Sequence, residues 1–149
     1  MAFKPTIAVD YDGTLVDQAF PKPGTPKPGA KEALTFFREL GYHVLIYSCR
    51  TAKWHPEIFN PSNEPMDMSR SLIQDMIRTL DQAGIPYDEV DDGTKGKPFA
   101  DLYLDDKGYR FTGDWKEAAA FVLAVLGPAA SAFPTNLSHV PQANEQLSQ

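Results

Sequence analysis

Four aspartates in two tight pairs are the residues of this chain best placed to do chemistry: Asp10 and Asp12 in "AVDYDGT", Asp105 and Asp106 in "LYLDDKG". Each pair follows a short apolar run that reads as a buried strand. In an extended chain residues two apart point the same way, so Asp10 and Asp12 leave their strand together, and Gly13 lets the backbone turn away. Carboxylates gathered at one rim repel: two unit charges 4 Å apart oppose each other by roughly 4 kcal/mol at an effective dielectric near 20. A divalent cation removes that cost. An all-oxygen donor set suits Mg²⁺, which keeps several waters and takes a substrate phosphate as a partner. With a phosphate in place, one carboxylate can attack phosphorus and form an aspartyl-phosphate. A second can protonate the leaving alkoxide and later deprotonate water, while the metal and a fixed cation offset the charge. Ser48, which ends "HVLIYS", can donate to a phosphate oxygen, and a lysine of "GTKGKP", Lys95 or Lys97, can supply the cation.

The elements that must position these residues alternate between strand and helix. "TIAVD" (6–10) reads as a buried strand and "VDQAFPKPGTPKPGA" as a proline- and glycine-rich loop. In "AKEALTFFREL", Ala30, Leu34, Phe37 and Leu40 share one helical face, and Gly41 is a stop signal. "HVLIYS" is a second buried strand. "MDMSRSLIQDMIRTLDQAG" is the longest helix, with Leu72, Ile73, Met76, Ile77 and Leu80 as its apolar stripe. "YDEV" and "ADLYLDD" are expected strands, "YRFTG" an expected fifth, and "DWKEAAAFVLAVLG" a last helix with Asp114 as N-cap. The alternation predicts an α/β fold: a Rossmann-like three-layer sandwich with a mostly parallel central sheet, in which ligands bind beyond the carboxyl ends of the strands. Residues 1–127 are expected to form the domain and 128–149 a flexible tail.

The motifs resemble those of the haloacid dehalogenase-like (HAD) hydrolase superfamily. "DYDGT" is similar to its first signature, "VLIYS" to its second, and "KPFADLYLDD" to its third and fourth; all occur in the family's order between residues 6 and 106. The resemblance implies that Asp10 is the nucleophile and also binds Mg²⁺. It gives Asp12 as general acid/base, with its backbone carbonyl on the metal. It further gives Ser48 as the phosphate-binding hydroxyl, Asp105 as a metal ligand, and Asp106 as a neighbour acting through water. Lys97, in "KPFAD", fits the family's lysine better than Lys95, although its reach to Asp105 is short. Dehalogenases lack an aspartate at the position of Asp12, because a halide leaves without a proton and an alkoxide does not. The resemblance therefore implies a phosphatase or phosphotransferase. Both of the family's cap insertion points are short here, which implies a capless or nearly capless member. Its open site would admit a large substrate, or a small one if a neighbouring subunit of a homo-oligomer covers it. "RTAKWHPEIF" follows Ser48 and is expected over the rim, with Arg50, Trp54 and His55 as candidates for substrate contact; a surface ion pair is the other reading of Arg50.

The totals narrow the field. With 149 residues, 42% of them hydrophobic, the chain is long enough for one domain with a real core. A net charge of −6 argues against non-specific nucleic-acid binding, which needs a basic surface. A small phosphate ester is the expected partner, with an oligonucleotide end as an alternative. One cysteine, Cys49, excludes an intrachain disulfide. No apolar run approaches a membrane span, and no long apolar segment precedes Asp10. The expectation is a cytoplasmic, Mg²⁺-dependent phosphoric monoester hydrolase. Two other functions share the chemistry: a phospho-acceptor module of the receiver kind, and a phosphate-binding protein without turnover. The order Asp-x-Asp-Gly-Thr argues against the receiver, whose acceptor lies on a middle strand.

Overall fold

The computed structural model describes residues 3–53 and 67–127. Its elements are β1 (Thr6–Asp10), α1 (Ala30–Glu39), β2 (His43–Tyr47), a single 3₁₀ turn (Cys49–Thr51), α2 (Ser69–Ala83), β3 (Glu89–Val90), β4 (Leu102–Leu104) and α3 (Trp115–Leu126). The strands form one all-parallel sheet in the order β3-β2-β1-β4. The fold is α/β and of the Rossmann-like kind. No helix among the described residues is long and apolar enough to cross a membrane.

The two central strands are apolar and β-branched, as strands covered on both sides require. Ile7 and Val9 point to one face and pair in register with Val44 and Ile46. These four join Leu34 of α1 and Met76 and Leu80 of α2 in one buried cluster. Ala8 and Leu45, facing the other way, are buried as well. Burial at this density stabilises each fully covered Val, Leu or Ile by about 1.5–3 kcal/mol. The helical stripes fall where the spacing places them, with one exception. Leu40 caps α1 instead of continuing it, and is half exposed. Gly84, in the left-handed conformation (φ 64°), ends α2.

The sheet order fixes where a site can form. From β1 the chain moves outward through β2 to β3, then returns to lay β4 on the opposite side of β1. The carboxyl ends of β1 and β4 therefore flank a topological switch point, the place where open parallel sheets leave a crevice. Val9 pairs with Leu104 and Asp10 with Tyr47. One more residue along β4 brings Asp105 level with Asp10.

Contacts divide the chain into two units, Met1–Gly108 and Tyr109–Gln149. In the second, Asp114 caps α3 by accepting from the N–H groups of Lys116 and Glu117, as expected. The fifth strand expected at "YRFTG" does not form. Its aromatic residues turn onto α3 instead: Tyr109 lies on Phe121 and Phe111 on Trp115, each with ring centroids 4.7 Å apart. The tail expected at 128–149 lies outside the described residues.

Candidate active site

Asp10 stands at the end of β1 and Asp105 and Asp106 directly after β4. Each can offer one carboxylate oxygen such that all three atoms lie within 4.8 Å of one another. Two features of "DYDGT" make this approach possible. Gly13 has φ 85°, a left-handed conformation that a side chain would strain, and a Cβ there would stand 2.5 Å from Asp106 Oδ2. The glycine is thus both a turn residue and the gap that Asp106 fills. Thr14 then ties the cluster together. Its hydroxyl accepts from the Asp106 N–H at 3.0 Å. The hydroxyl's own proton faces Asp10 Oδ2 and Asp106 Oδ1, each at 3.3 Å.

Asp105 is held from two sides. The Tyr47 hydroxyl donates to its Oδ2 at 2.6 Å and the Lys107 N–H to its Oδ1 at 2.7 Å. Tyr103 packs edge-on against Tyr47. Burial, and then the bond to Asp105, hold the Tyr47 phenol above its usual range. Asp10 is also hydrogen-bonded, but its burial and its like-charged neighbours outweigh those bonds. Burial, and then the charges of Asp105 and Asp106, push its carboxyl up to about 7, although the Tyr11 N–H and the Thr14 hydroxyl pull the other way. At these separations each like-charge pair costs roughly 3 kcal/mol at an effective dielectric near 20. Three oxygen donors on a half-buried rim, one of them strained toward its neutral form, fit a hard divalent cation such as Mg²⁺.

Asp12 does not join the cluster. Its carboxylate faces Arg50, whose Nε donates to Oδ2 and Nη2 to Oδ1, both at 2.7 Å. Arg50 is 0% exposed and Asp12 6%. The guanidinium also donates to the carbonyls of Pro21 (3.0 Å) and Lys22 (2.7 Å), so four of its five N–H groups are engaged. It lies against the rings of Tyr11 and Phe20. Arg50 does form an ion pair, as one of its two expected roles has it, but a buried one and not one on the surface, and with no exposed area it is not placed for substrate contact. The residue sits beneath the rim because the 3₁₀ turn after β2 directs it inward, toward the one carboxylate that needs a buried partner.

A cavity of about 330 Å³ opens over the cluster, lined by Asp10, Asp12, Gln18, Phe20, Tyr47, Cys49, Asp105, Asp106 and Lys107. Ser48 and Lys97 are not in its wall. Ser48 is buried, and its Oγ accepts from the Arg50 N–H at 3.2 Å while Cys49, one residue on, faces the cavity. The Lys97 ammonium rests on the Tyr103 ring, 4.4 Å from its centroid. Lys95 lies in the exposed turn before it and is absent from the wall too. Among the described residues, the cation that lines the cavity is Lys107. Its position directly after the acidic pair was a signal the sequence carried; Tyr47, one residue before Ser48, was hidden in an apolar run. Trp54 and His55 lie outside the described residues.

No family model matches the chain, and no curated protein does. Among solved structures, a conserved protein from Bacteroides thetaiotaomicron superposes with a TM-score of 0.52 at 22% sequence identity, over 82% of this chain and 90% of that one. At that identity the likeness is one of fold.

Proposed function

We propose that the chain is a Mg²⁺-dependent phosphatase of the HAD-like kind, in which Asp10 attacks the phosphorus of a phosphate monoester. The observation that carries this reading is the convergence of Asp10, Asp105 and Asp106 at the switch point of a parallel sheet, beneath an open cavity. Asp10, Asp105 and Asp106 would hold the metal, which when bound supplies the positive charge that lets a phosphate dianion approach a carboxylate. The protein's own groups do the rest. β1 holds Asp10 at the rim, and Tyr47 and the Lys107 N–H each bond one oxygen of Asp105, which fixes its carboxylate beside Asp10 and Asp106. Lys107 adds a second cation at the cavity wall. Asp12, to which the resemblance gives the acid/base role, has both oxygens on Arg50.

The test is release of p-nitrophenol from p-nitrophenyl phosphate. Turnover is expected with Mg²⁺ and is lost with EDTA or in Asp10→Asn. Full activity under either condition would falsify the assignment of Asp10 and the metal. A phosphoprotein that persists for minutes without multiple turnover would instead favour the receiver-like reading.

A further inference from the structure

We propose that α3 is a dimerisation element whose apolar face packs against the same face of a second copy of this chain. The inference is independent of the chemistry assigned to Asp10 and starts from the composition of the helix. In α3, WKEAAAFVLAVL, only Lys116 and Glu117 are charged, and every other residue is apolar. α1 and α2 each carry one apolar stripe and bury it in the core. A helix that is apolar on nearly all sides belongs in a protein interior. Yet Ala118 is the one residue of α3 that is buried.

The open surface is continuous. Trp115, Val122 and Leu126 fall two and three turns apart on one side of the helix, and they are 68%, 51% and 77% exposed. Leu123 and Val125 flank them and are more than half exposed. Phe111, stacked on Trp115, extends the patch at one end. Lys116, Glu117, Ala120 and Ala124 lie toward the back of the helix. Weighted by these exposures, the aromatic and aliphatic side chains of the patch offer roughly 600 Å² of apolar area. That is about what each partner of the smallest specific interfaces buries.

Charge and length select the occupant. The face carries no charged side chain, although the chain as a whole has a net charge of −6. Two copies related by a two-fold axis can therefore bring the same residues together without setting like charges opposite one another. A lipid surface fits less well. The helix is too short to span a bilayer, and helices that lie on membranes carry many Lys and Arg on their polar face. Here Glu117 offsets the single Lys116.

The experiment is sedimentation equilibrium of the full chain. An interface of this size is expected in the micromolar range, so loading concentrations run from about 1 to 100 µM. The mass should rise from one chain to two across that range. Val122→Glu combined with Leu126→Glu should weaken the dimer at least about 10²-fold, because each copy then presents two negative charges to the other. Ala124→Glu puts a charge on the back of the same helix and should leave the dimer intact, with far-ultraviolet circular dichroism unchanged in both variants. Three results overturn the proposal: a single-chain mass over the whole range, which means the chain covers the face itself; a dimer that survives the double substitution; and a dimer lost equally in Ala124→Glu. Co-sedimentation of the wild type with phosphatidylcholine–phosphatidylglycerol vesicles, abolished by the double substitution, would assign the face to lipid and overturn it as well.

Discussion

Replacing Asp10 with asparagine should make the metal-free protein more stable, and only above the pH at which the unfolded carboxyl ionises. In the folded chain burial and the nearby Asp105 and Asp106 push Asp10 up to about 7 from an ordinary value of 3.8. A rise of that size corresponds to roughly 4 kcal/mol of opposition to the charged form. Asp10 is only half-buried, so solvent screening reduces this to about 2 kcal/mol. The sign follows from proton counting. Between pH 4 and 7 the folded state keeps a proton on Asp10 that the unfolded state has released, so wild-type stability falls as pH rises through that window and levels off above it. Asp10→Asn has no such proton. Urea unfolding in EDTA at pH 4.5 and pH 8 measures the difference. The variant should gain about 2 kcal/mol on wild type between the two pH values, equivalent to a relative Tm shift of roughly 4–8 °C. Wild-type and variant curves that stay parallel across this range would show that the three carboxylates do not burden the empty site, and the electrostatic case for a cation there would fail.

Three further outcomes follow from the same geometry. Arg50→Met leaves Asp12 buried without its partner and should cost about 3–5 kcal/mol, whereas Asp12→Asn combined with Arg50→Met should recover part of that loss in the same unfolding assay. Gly13→Ala forces a Cβ to within 2.5 Å of Asp106 Oδ2 at a backbone φ of 85°; it should destabilise the fold by about 1–3 kcal/mol and abolish any Tm increase on adding Mg²⁺. Tyr47→Phe removes the 2.6 Å donor to Asp105 and should change Mg²⁺ affinity by about 10-fold or more, read by calorimetric titration, with little change in far-ultraviolet circular dichroism.

The parallel sheet was legible because its information is local. Ile7, Val9, Val44 and Ile46 announce buried strands by residue type alone, and the long stripe from Leu72 to Leu80 announces a helix by period. The carboxylate cluster was legible for a related reason: Asp10, Asp105 and Asp106 each end an apolar run, and strand ends share a rim. What the sequence could not display was which side chain turns inward at a loop. The fate of Arg50 depends on the 3₁₀ turn at Cys49–Thr51 and on two carbonyls from residues 21 and 22, contacts about 28 residues apart in the chain. The expected strand at 109–113 failed because aromatic residues suit a strand and a helix-side stack equally well; Tyr109 and Phe111 found partners on α3. Lys107 follows the acidic pair, whereas the lysines of the resembling pattern, Lys95 and Lys97, precede the strand and lie away from the cavity wall.

Arg50 also joins parts of the chain that would otherwise be independent. One side chain holds the turn after β1 through Asp12, the proline-rich segment through Pro21 and Lys22, and, through its own N–H, the end of β2 at Ser48. Gln18 and Phe20, which form one wall of the cavity, sit on the segment so fastened. That wall is therefore a fixed jamb rather than a door: it cannot swing outward unless a fully buried guanidinium gives up its bonds.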